Sequence, residues 1–215
     1  MNTISTMAML NALAVGLGLT LSGSIKAAIL TVSNDPNRPA AFTDLPGAYG
    51  NANDNDTIFI YGTPSGSMGT LAIAKPLYIL GNGYDPNQPG LKSRLGWITV
   101  DPAGSGTVLE GVFMNRLTIN GTATLRNCEL RQSASVNSLI SIGNTGQLTA
   151  INNVLVRDEN GLSTGFFTID SNTNNTLGQF FHNNVIIFNN HNGGGNNCIQ
   201  DVRNSVFSNN VFLSW

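Results

Sequence analysis

Five charged residues in the second half of the chain could carry acid–base chemistry on a sugar. Asp158, Asp170 and Asp201 each follow a predicted strand, and Arg157 and Arg203 lie close to the first and the last of these. A lyase needs a base to remove the proton beside a uronate carboxylate, and a cation, often calcium with arginine, to stabilise the developing charge. A hydrolase instead uses two carboxylates as acid and base. The same residue types are typical of solvated turns, so a catalytic and a structural interpretation both stay open.

The other reactive residue types give weaker signals. His182 stands inside an asparagine-containing phrase and His191 precedes a run of glycines, and neither belongs to a Ser/His/Asp order. Cys128 and Cys198 are far apart in the sequence with no metal-binding spacing, so zinc is not expected. Each cysteine is predicted to pack as a small apolar side chain, with a mutual disulfide as the alternative.

Two further groups could bind a ligand. Asp54, Asp56 and Asp85 could offer oxygen ligands to calcium, although their spacing matches no calcium-binding loop and turn formation alone would account for them. Tyr84 lies in a long polar segment, residues 81–90, and could stack on a sugar ring. Three more aromatic side chains could do the same: Tyr49, Tyr61 and Trp97. No cofactor is otherwise evident.

The composition of the 215-residue chain favours a single domain built from β-strands. Charged residues make up only 10%, hydrophobic residues reach 41% and glycine occurs 24 times. This mixture argues against a disordered chain, which needs high charge, and against a helical bundle. A formal net charge of -2 without a Lys/Arg cluster argues against nucleic acid as a partner.

Residues 1–27 are predicted to be a secretory signal. An apolar run over residues 7–21 is followed by a segment of mostly small residues, 22–27, although the usual basic start is missing. The alternative is an uncleaved anchor, but the run is interrupted by polar residues and glycine and is short for a membrane span. We therefore expect a mature domain over residues 28–215 that is secreted, extracellular or at the cell surface, and not in the membrane.

An asparagine-containing phrase recurs through residues 107–215 and indicates a coil repeat. Four asparagines, each among apolar residues, follow one another at nearly even spacing, as one position per coil of a solenoid would. The four are Asn127, Asn153, Asn183 and Asn209. Because equivalent side chains of successive coils stack, these four are predicted to form a hydrogen-bonded ladder. Asn204 stands too close in the sequence to Asn209, so one of these two must lie at a different corner.

The predicted fold is an all-β, right-handed, single-stranded parallel β-helix. Residues 40–45 are the candidate for a short N-terminal capping helix, ended by Pro46 and Gly47. Residues 54–60 (DNDTIFI), residues 75–81 (KPLYILG) and the asparagine phrases resemble proteins of the pectate-lyase-like superfamily, in particular secreted β-helix proteins of Bacteroidota. The resemblance covers about residues 29–215 and implies a fold rather than an activity, because lyases, hydrolases, epimerases, tailspikes and adhesins share this scaffold. An antiparallel sandwich would also give short strands with Asn-Gly turns, but it would not explain the repeated phrase.

Two classes of function follow from this fold. We expect a secreted protein that binds polysaccharide or has a structural role at a surface, and the sparse charge favours this class. The alternative is a polysaccharide lyase or glycoside hydrolase acting on an acidic plant-type or microbial polysaccharide. Residues 211–215 stop within a predicted strand, so we expect the β-helix domain to be incomplete at its C-terminal end and to continue in further coils. The alternatives are a cap made by Phe212 and Trp215 or a stacked second subunit.

Overall fold

The structure is a computed structural model that describes residues 27–63, 66–83, 91–132, 138–157, 167–188 and 198–214. Residues 1–26 of the predicted signal, and Trp215 of the predicted cap, lie outside these ranges. The described residues form eighteen short strands, one α-helix and one 3₁₀ helix. The strands are β1 (Ile29–Val32), β2 (Thr57–Ile60), β3 (Leu71–Ile73), β4 (Tyr78–Gly81), β5 (Arg94–Val100), β6 (Thr107–Glu110), β7 (Phe113–Ile119), β8 (Thr122–Arg126), β9 (Glu129–Arg131), β10 (Ser138–Ile142), β11 (Gln147–Ile151), β12 (Val154–Arg157), β13 (Phe167–Ser171), β14 (Phe180–His182), β15 (Val185–Phe188), β16 (Ile199–Gln200), β17 (Val206–Ser208) and β18 (Val211–Ser214). The helices are α1 (Leu45–Asn51) and a 3₁₀ turn (Pro102–Gly104).

Every pairing between these strands is parallel, and they form two sheets. The first sheet, face A, has the order β1-β2-β4-β6-β8-β11-β14-β17. The second has the order β16-β13-β10-β7-β9-β12-β15-β18, with β3 and β5 joined to it through β7. Apart from β1 and β2, which α1 separates, strands that are neighbours in space are separated in sequence by strands of the other sheet, which is the topology of a solenoid.

The second sheet divides into two strips at β7. Met114 of β7 lies opposite Leu130 of β9, whereas Leu117 lies opposite Ile140 of β10. Strip B comprises β9, β12, β15 and β18; strip C comprises β3, β10, β13 and β16; β5 and β7 run through both without a break. A coil passes from face A to strip B to strip C and back, which confirms the predicted parallel β-helix. The right-handed sense predicted for it is the one that parallel crossover connections adopt almost without exception.

The core consists of stacked columns of apolar side chains, one from each face. On face A the column is Leu30, Ile58, Ile79, Leu109, Leu125, Ala150, Phe181 and Phe207. The Phe181 and Phe207 rings stack in parallel with their centroids 4.7 Å apart. In strip C the column is Leu71, Ile98, Leu117, Ile140, Ile169 and Ile199. The alternation of buried and outward residues along each strand produces these columns, because successive side chains of a strand point to opposite faces.

A helix packs on the first strand, although not at the predicted residues. Residues 40–45 were the expected helix, but α1 begins at Leu45 and continues through Pro46 and Gly47. Pro46 is tolerated because a helix's first turn does not use its backbone N–H. The carboxylate of Asp44 caps the helix by accepting a hydrogen bond from Gly47 N at 2.7 Å. No helix within the described ranges is long and apolar enough to cross a membrane.

The asparagine phrases form two columns instead of the one predicted. Residues 127, 152, 183 and 209 all have φ between 53° and 56°, the left-handed conformation that asparagine tolerates well. They make the turn from face A into strip B, and Gly111, with φ of 65°, makes the same turn one coil earlier. Asn127, Asn183 and Asn209 of the predicted ladder are therefore turn residues.

The hydrogen-bonded ladder is the next column, and Asn153 alone among the four predicted asparagines belongs to it. Its members are Asn153, Asn184 and Asn210, and Cys128 holds the equivalent place in the coil before. Asn153 Oδ1 accepts from Cys128 N at 2.9 Å and its Nδ2 donates to Leu125 O at 3.0 Å. The predicted register differs by one residue at Asn153 because Ala150, not Ile151, lies opposite Leu125.

The misfit between Asn204 and Asn209 is also explained. Asn209 belongs to the left-handed column, whereas Asn204, with φ of 50°, forms the turn that precedes β17. The Asn204 amide donates to Thr176 O of the previous coil at 3.1 Å. The two asparagines therefore occupy different corners of one coil, as expected.

Candidate functional site

A groove of about 350 Å³ lies where face A turns into strip B. Lys92, Phe113, Asn127, Glu129 and Asn152 are among the residues that line it. The two asparagines belong to the left-handed turn column, and the other three stand at or just before the start of a strip B segment. The corner geometry therefore places polar, charged and aromatic side chains along one wall.

The outer row of strip B contributes Phe113, Glu129 and Val154 to this wall, and Arg94 adjoins it. Arg94 lies opposite Phe113, and Phe113 lies opposite Glu129. Neighbouring strands are separated by roughly 4.8 Å, so these three residues of successive coils form a line parallel to the solenoid axis. Val154 continues the line from Glu129.

Two cations surround the ring of Phe113. Lys92 Nζ lies 4.9 Å from the ring centroid and Arg94 Cζ lies 5.1 Å from it. Lys92 Nζ also forms a close ion pair with Oε2 of Glu129. Only about a quarter of each of these two side chains is exposed. Cation–π contact holds both cations beside Phe113.

Arg94 differs from Lys92 in having no carboxylate partner among the described residues. Its Nε is buried and has no hydrogen-bond acceptor within the described part of the chain. The same is true of Nε of Arg116, whose guanidinium lies 5.8 Å from the centroid of Trp97 in the neighbouring strand. Trp97 is 47% exposed. Arg94, Trp97, Phe113 and Arg116, together with Lys92, form what we call the arginine patch.

The carboxylates at the groove corner are already paired. Arg126 Nη2 lies 2.7 Å from Glu110 Oε2, and Asn127 Nδ2 donates to Glu110 Oε1 at 3.2 Å. Glu129 is occupied by Lys92. The patch therefore combines paired acids with two arginines that form no ion pair among the described residues, an arrangement suited to binding an anion and poor in free bases.

Two of the five predicted catalytic residues come together on strip C. Burial raises the pKa of Asp170, and the negative charge of Asp201 raises it further. Ser138 Oγ donates to Asp170 Oδ2 at 3.3 Å, which opposes the rise. Asp201 follows β16 with a left-handed φ of 53°.

No ion pair joins either predicted arginine to Asp170 or Asp201 in the part of the chain that the structure describes. Arg157 is buried at the end of β12, close enough for its charge to lower the pKa of Cys198, although burial raises that pKa more. Arg203 is exposed, and no ion pair joins it to Asp170 or Asp201 among the described residues. Asp158 lies outside the described residues.

The calcium candidates do not form a common site in the described residues. Both oxygens of Asp56 accept backbone hydrogen bonds, from Ala28 N at 2.6 Å and from Asn53 N at 2.7 Å. Asp54 is exposed, and Asp85 lies outside the described ranges. No group of three or more His, Cys, Asp or Glu side chains is arranged to hold a metal within those ranges.

The aromatic candidates have different environments. Tyr84 lies outside the described residues. Tyr49 is half-buried beneath Lys75, whose Nζ is 4.5 Å from the ring centroid, and Tyr61 packs edge-on against Phe59. Trp97 is the predicted sugar-stacking residue that exposes a large part of its ring in the described structure.

The remaining reactive residues have structural surroundings. Cys128 and Cys198 are free thiols, and burial raises the pKa of Cys128 to about 12. Nδ1 of His182 is 2.7 Å from Ser208 Oγ, its register neighbour on face A. His191 lies outside the described residues.

The arginine patch was missed from the sequence because its coils are short. Arg94, Phe113 and Glu129 are register partners in successive coils, yet they follow one another more closely in the sequence than the asparagine phrases do. An available signal was the pair of equally long segments 94–100 and 113–119, each with an arginine and an aromatic residue. Aligning these two segments pairs Arg94 with Phe113 and Trp97 with Arg116, which are four of the residues of the patch.

Comparison of the chain with protein-family models, curated proteins and solved structures gave no significant match. The assignment of the fold therefore rests on the strand pairing itself.

Proposed function

We propose that the protein is a secreted module that binds acidic polysaccharide through the arginine patch. The observation that carries this proposal is the pair Arg94 and Arg116, two arginines on neighbouring coils whose guanidinium groups lie beside Phe113 and Trp97 and form no ion pair with a carboxylate among the described residues. A uronate carboxylate offers two acceptor oxygens in the geometry that a guanidinium group prefers.

The exposed ring of Trp97 indicates that the anionic ligand is a sugar. Its half-exposed ring lies in the same strand as Arg94 and beside Arg116. A pyranose ring can pack its apolar face on an indole while its carboxylate reaches a guanidinium, so one sugar residue would satisfy both contacts. Because β5 and β7 run without a break through strips B and C, this surface is continuous along each strand.

The resemblance to secreted pectate-lyase-like proteins agrees with this proposal. It rests on residues 54–60 and 75–81 and on the asparagine phrases. Signal removal after residue 27 would place the solenoid outside the cell, at the surface or in the medium, where acidic polysaccharides occur. Binding is favoured over catalysis because Glu110 and Glu129, the acids at the groove corner, are held in ion pairs.

Affinity electrophoresis in gels containing polygalacturonate, alginate or neutral dextran tests the proposal. We expect retardation by the two polyuronates and not by dextran. Arg94→Gln combined with Arg116→Gln should weaken polyuronate binding at least tenfold, whereas Arg126→Gln, which changes an arginine already paired with Glu110, should have little effect. Equal losses in the two variants, or equal retardation by dextran, would refute the role of the patch.

A second comparison tests the stacking contact. Trp97→Ala should weaken binding about tenfold, because stacking on an aromatic ring is removed together with the support for Arg116. Tyr78→Ala is the matched control, since Tyr78 is 44% exposed on face A and away from strips B and C.

A hydrolase or lyase is the second candidate, and the Asp170–Asp201 pair favours it. Two carboxylates whose environments differ can divide the roles of acid and base. Release of reducing ends, or of unsaturated products that absorb in the ultraviolet, would reveal turnover. Asp170→Asn should abolish that turnover and leave polyuronate binding unchanged.

A further inference from the structure

The nitrogen of Ala28 is held by a buried carboxylate. Ala28 N lies 2.6 Å from Oδ1 of Asp56, and Ala28 O accepts a hydrogen bond from Thr57 N at 2.8 Å. Both bonds join the first described residues to the start of β2. Asp56 is only 2% exposed, although Ala28 itself is at the surface. The residue before β1 is therefore fixed at a defined position.

The hydrogen bonds of Asp56 come from neutral donors. Its Oδ2 accepts from Asn53 N at 2.7 Å, and both donors are backbone N–H groups. Lys75 is near enough for its charge to favour the ionised carboxylate, but its Nζ donates to Tyr49 O and Ala52 O. A buried carboxylate is stabilised most strongly by a cation in direct contact. The position occupied by Ala28 N is the one at which such a cation would touch Oδ1.

The sequence predicts that a cation can be created at that atom. The apolar run of residues 7–21 and the small residues after it predict cleavage by a signal peptidase near Ala27. Water would add across the Ala27–Ala28 peptide bond, so that Ala27 leaves with a new carboxylate and the nitrogen of Ala28 becomes a protonated amino group. Two independent features, the predicted cleavage region and the carboxylate against Ala28 N, thus meet at one bond.

We propose that the protein is processed between Ala27 and Ala28 and that Asp56 is the receptor for the amino terminus so formed. The inference rests on the predicted secretion, but not on polysaccharide binding. The ion pair links the residue before β1 to the residue before β2, at the start of the pairing between these two strands. In the unprocessed chain Asp56 accepts only a peptide hydrogen bond at this place.

The first experiment identifies the amino terminus. The full chain is expressed with its own residues 1–27 in a secreting host, and the secreted protein is analysed by intact mass and by amino-terminal sequencing. We expect a terminus at Ala28. A terminus at any other residue overturns the proposal.

The second experiment measures the ionisation of that terminus. The rate at which the α-amino group of the secreted protein is acylated is followed across pH 6–11, and the midpoint gives its pKa. An amino terminus in contact with a carboxylate should have a pKa above the usual value of about 8. A rise of about one unit corresponds to acylation about tenfold slower at neutral pH.

Variants and a denatured reference make this measurement specific. Asp56→Asn should return the pKa of the α-amino group to its ordinary value, whereas Asp54→Asn, at an exposed neighbour in the same turn, should not. Because Asp56→Asn could prevent folding, the native protein is also compared with the same protein in urea, where the midpoint should fall. The positive charge of Lys75 opposes the rise in the pKa of the α-amino group, and the Tyr49 ring contacts Lys75. Both residues are therefore kept unchanged. An unchanged midpoint in urea or in Asp56→Asn overturns the proposal.

Discussion

Oδ1 of Asn184 accepts two hydrogen bonds from Asn153. Both the backbone N and the Nδ2 of Asn153 donate to Oδ1 of Asn184 at 2.9 Å, and Asn184 repeats the pattern toward Asn210 at 2.8 and 2.9 Å. Both Asn153 and Asn184 are buried, so water cannot replace these bonds. The side-chain amide of Asn184 therefore links two coils and also provides the acceptor for the backbone N–H of Asn153 at the corner.

Removal of the central amide should destabilise the protein strongly. Asn184→Ala leaves Asn153 N and Ala150 O without their partners. Each buried unsatisfied group costs about 1–3 kcal/mol, so we expect unfolding free energy to fall by about 3 kcal/mol. Urea denaturation followed by circular dichroism measures this.

The adjacent residue provides the control. Asn183 is exposed with φ of 55°, a conformation that glycine adopts without strain. Asn183→Gly should therefore change the free energy of unfolding by less than about 0.5 kcal/mol. Similar losses for the two variants would show that the corner, and not the amide ladder, determines stability.

Substitution of Cys128 by asparagine should extend the ladder by one coil. Cys128 Sγ lies 3.5 Å from Leu109 O, the place at which a ladder asparagine donates from Nδ2. A neutral amide is a stronger hydrogen-bond donor than a thiol. The unfolding free energy of Cys128→Asn should therefore be about 2 kcal/mol higher than that of Cys128→Ala. Thermal unfolding of the two variants decides the order, and a less stable asparagine variant would contradict the equivalence of the two positions.

Asp170 should make stability depend on pH in the opposite sense to most carboxylates. Its pKa is raised in the folded protein, chiefly by burial, so the folded state binds the proton more tightly than the unfolded state. Stability should therefore fall as pH rises from the ordinary carboxyl value of about 4 through the raised value. Asp170→Asn should be more stable than the wild type at pH 7, with the gain vanishing at pH 3. Melting temperatures across this range test the sign, with Asp54→Asn as an exposed control.

The packing between coils should not admit one extra methyl group at Gly104. A Cβ there would lie within 2.3 Å of Ile73 O of the previous coil. The backbone would have to separate, and Gly104→Ala should lower unfolding free energy by about 2 kcal/mol. Gly50→Ala is the control, because a Cβ at Gly50 meets nothing within 4 Å and alanine favours the helix. A loss in both variants, seen by urea titration, would point away from the contact with Ile73.

The repeated asparagines were sufficient to predict the solenoid but not its register. The phrase at residues 151–156 contains two adjacent asparagines, and each fits a different column. Sequence spacing cannot distinguish a left-handed turn from a ladder position one residue later, since asparagine suits both. The hydrogen-bonding partners that separate them belong to other coils.

The candidate site was less accessible to sequence reasoning than the fold, because coil length varies widely. The register partners Val108 and Thr124 are close in the sequence, whereas Thr149 and Phe180 lie almost twice as far apart. The two arginines of the patch lie in the compact part of the chain, where no repeated phrase marks them. Asp170 was predicted to follow a strand but lies within β13, and the burial that raises its pKa depends on three-dimensional packing.

The junction between strips B and C has a consequence for how such a protein can diversify. In β5 and β7 the two strips form one strand. In the sequence of the later coils, residues 132–137, 158–166 and 189–198 separate the strip B strand from the strip C strand. The apolar columns nevertheless stay in register. Extra sequence is therefore accepted at this edge without altering the stacking of neighbours. Peptides of different length and chemistry could therefore be inserted or exchanged at this edge while the strands keep their pairing.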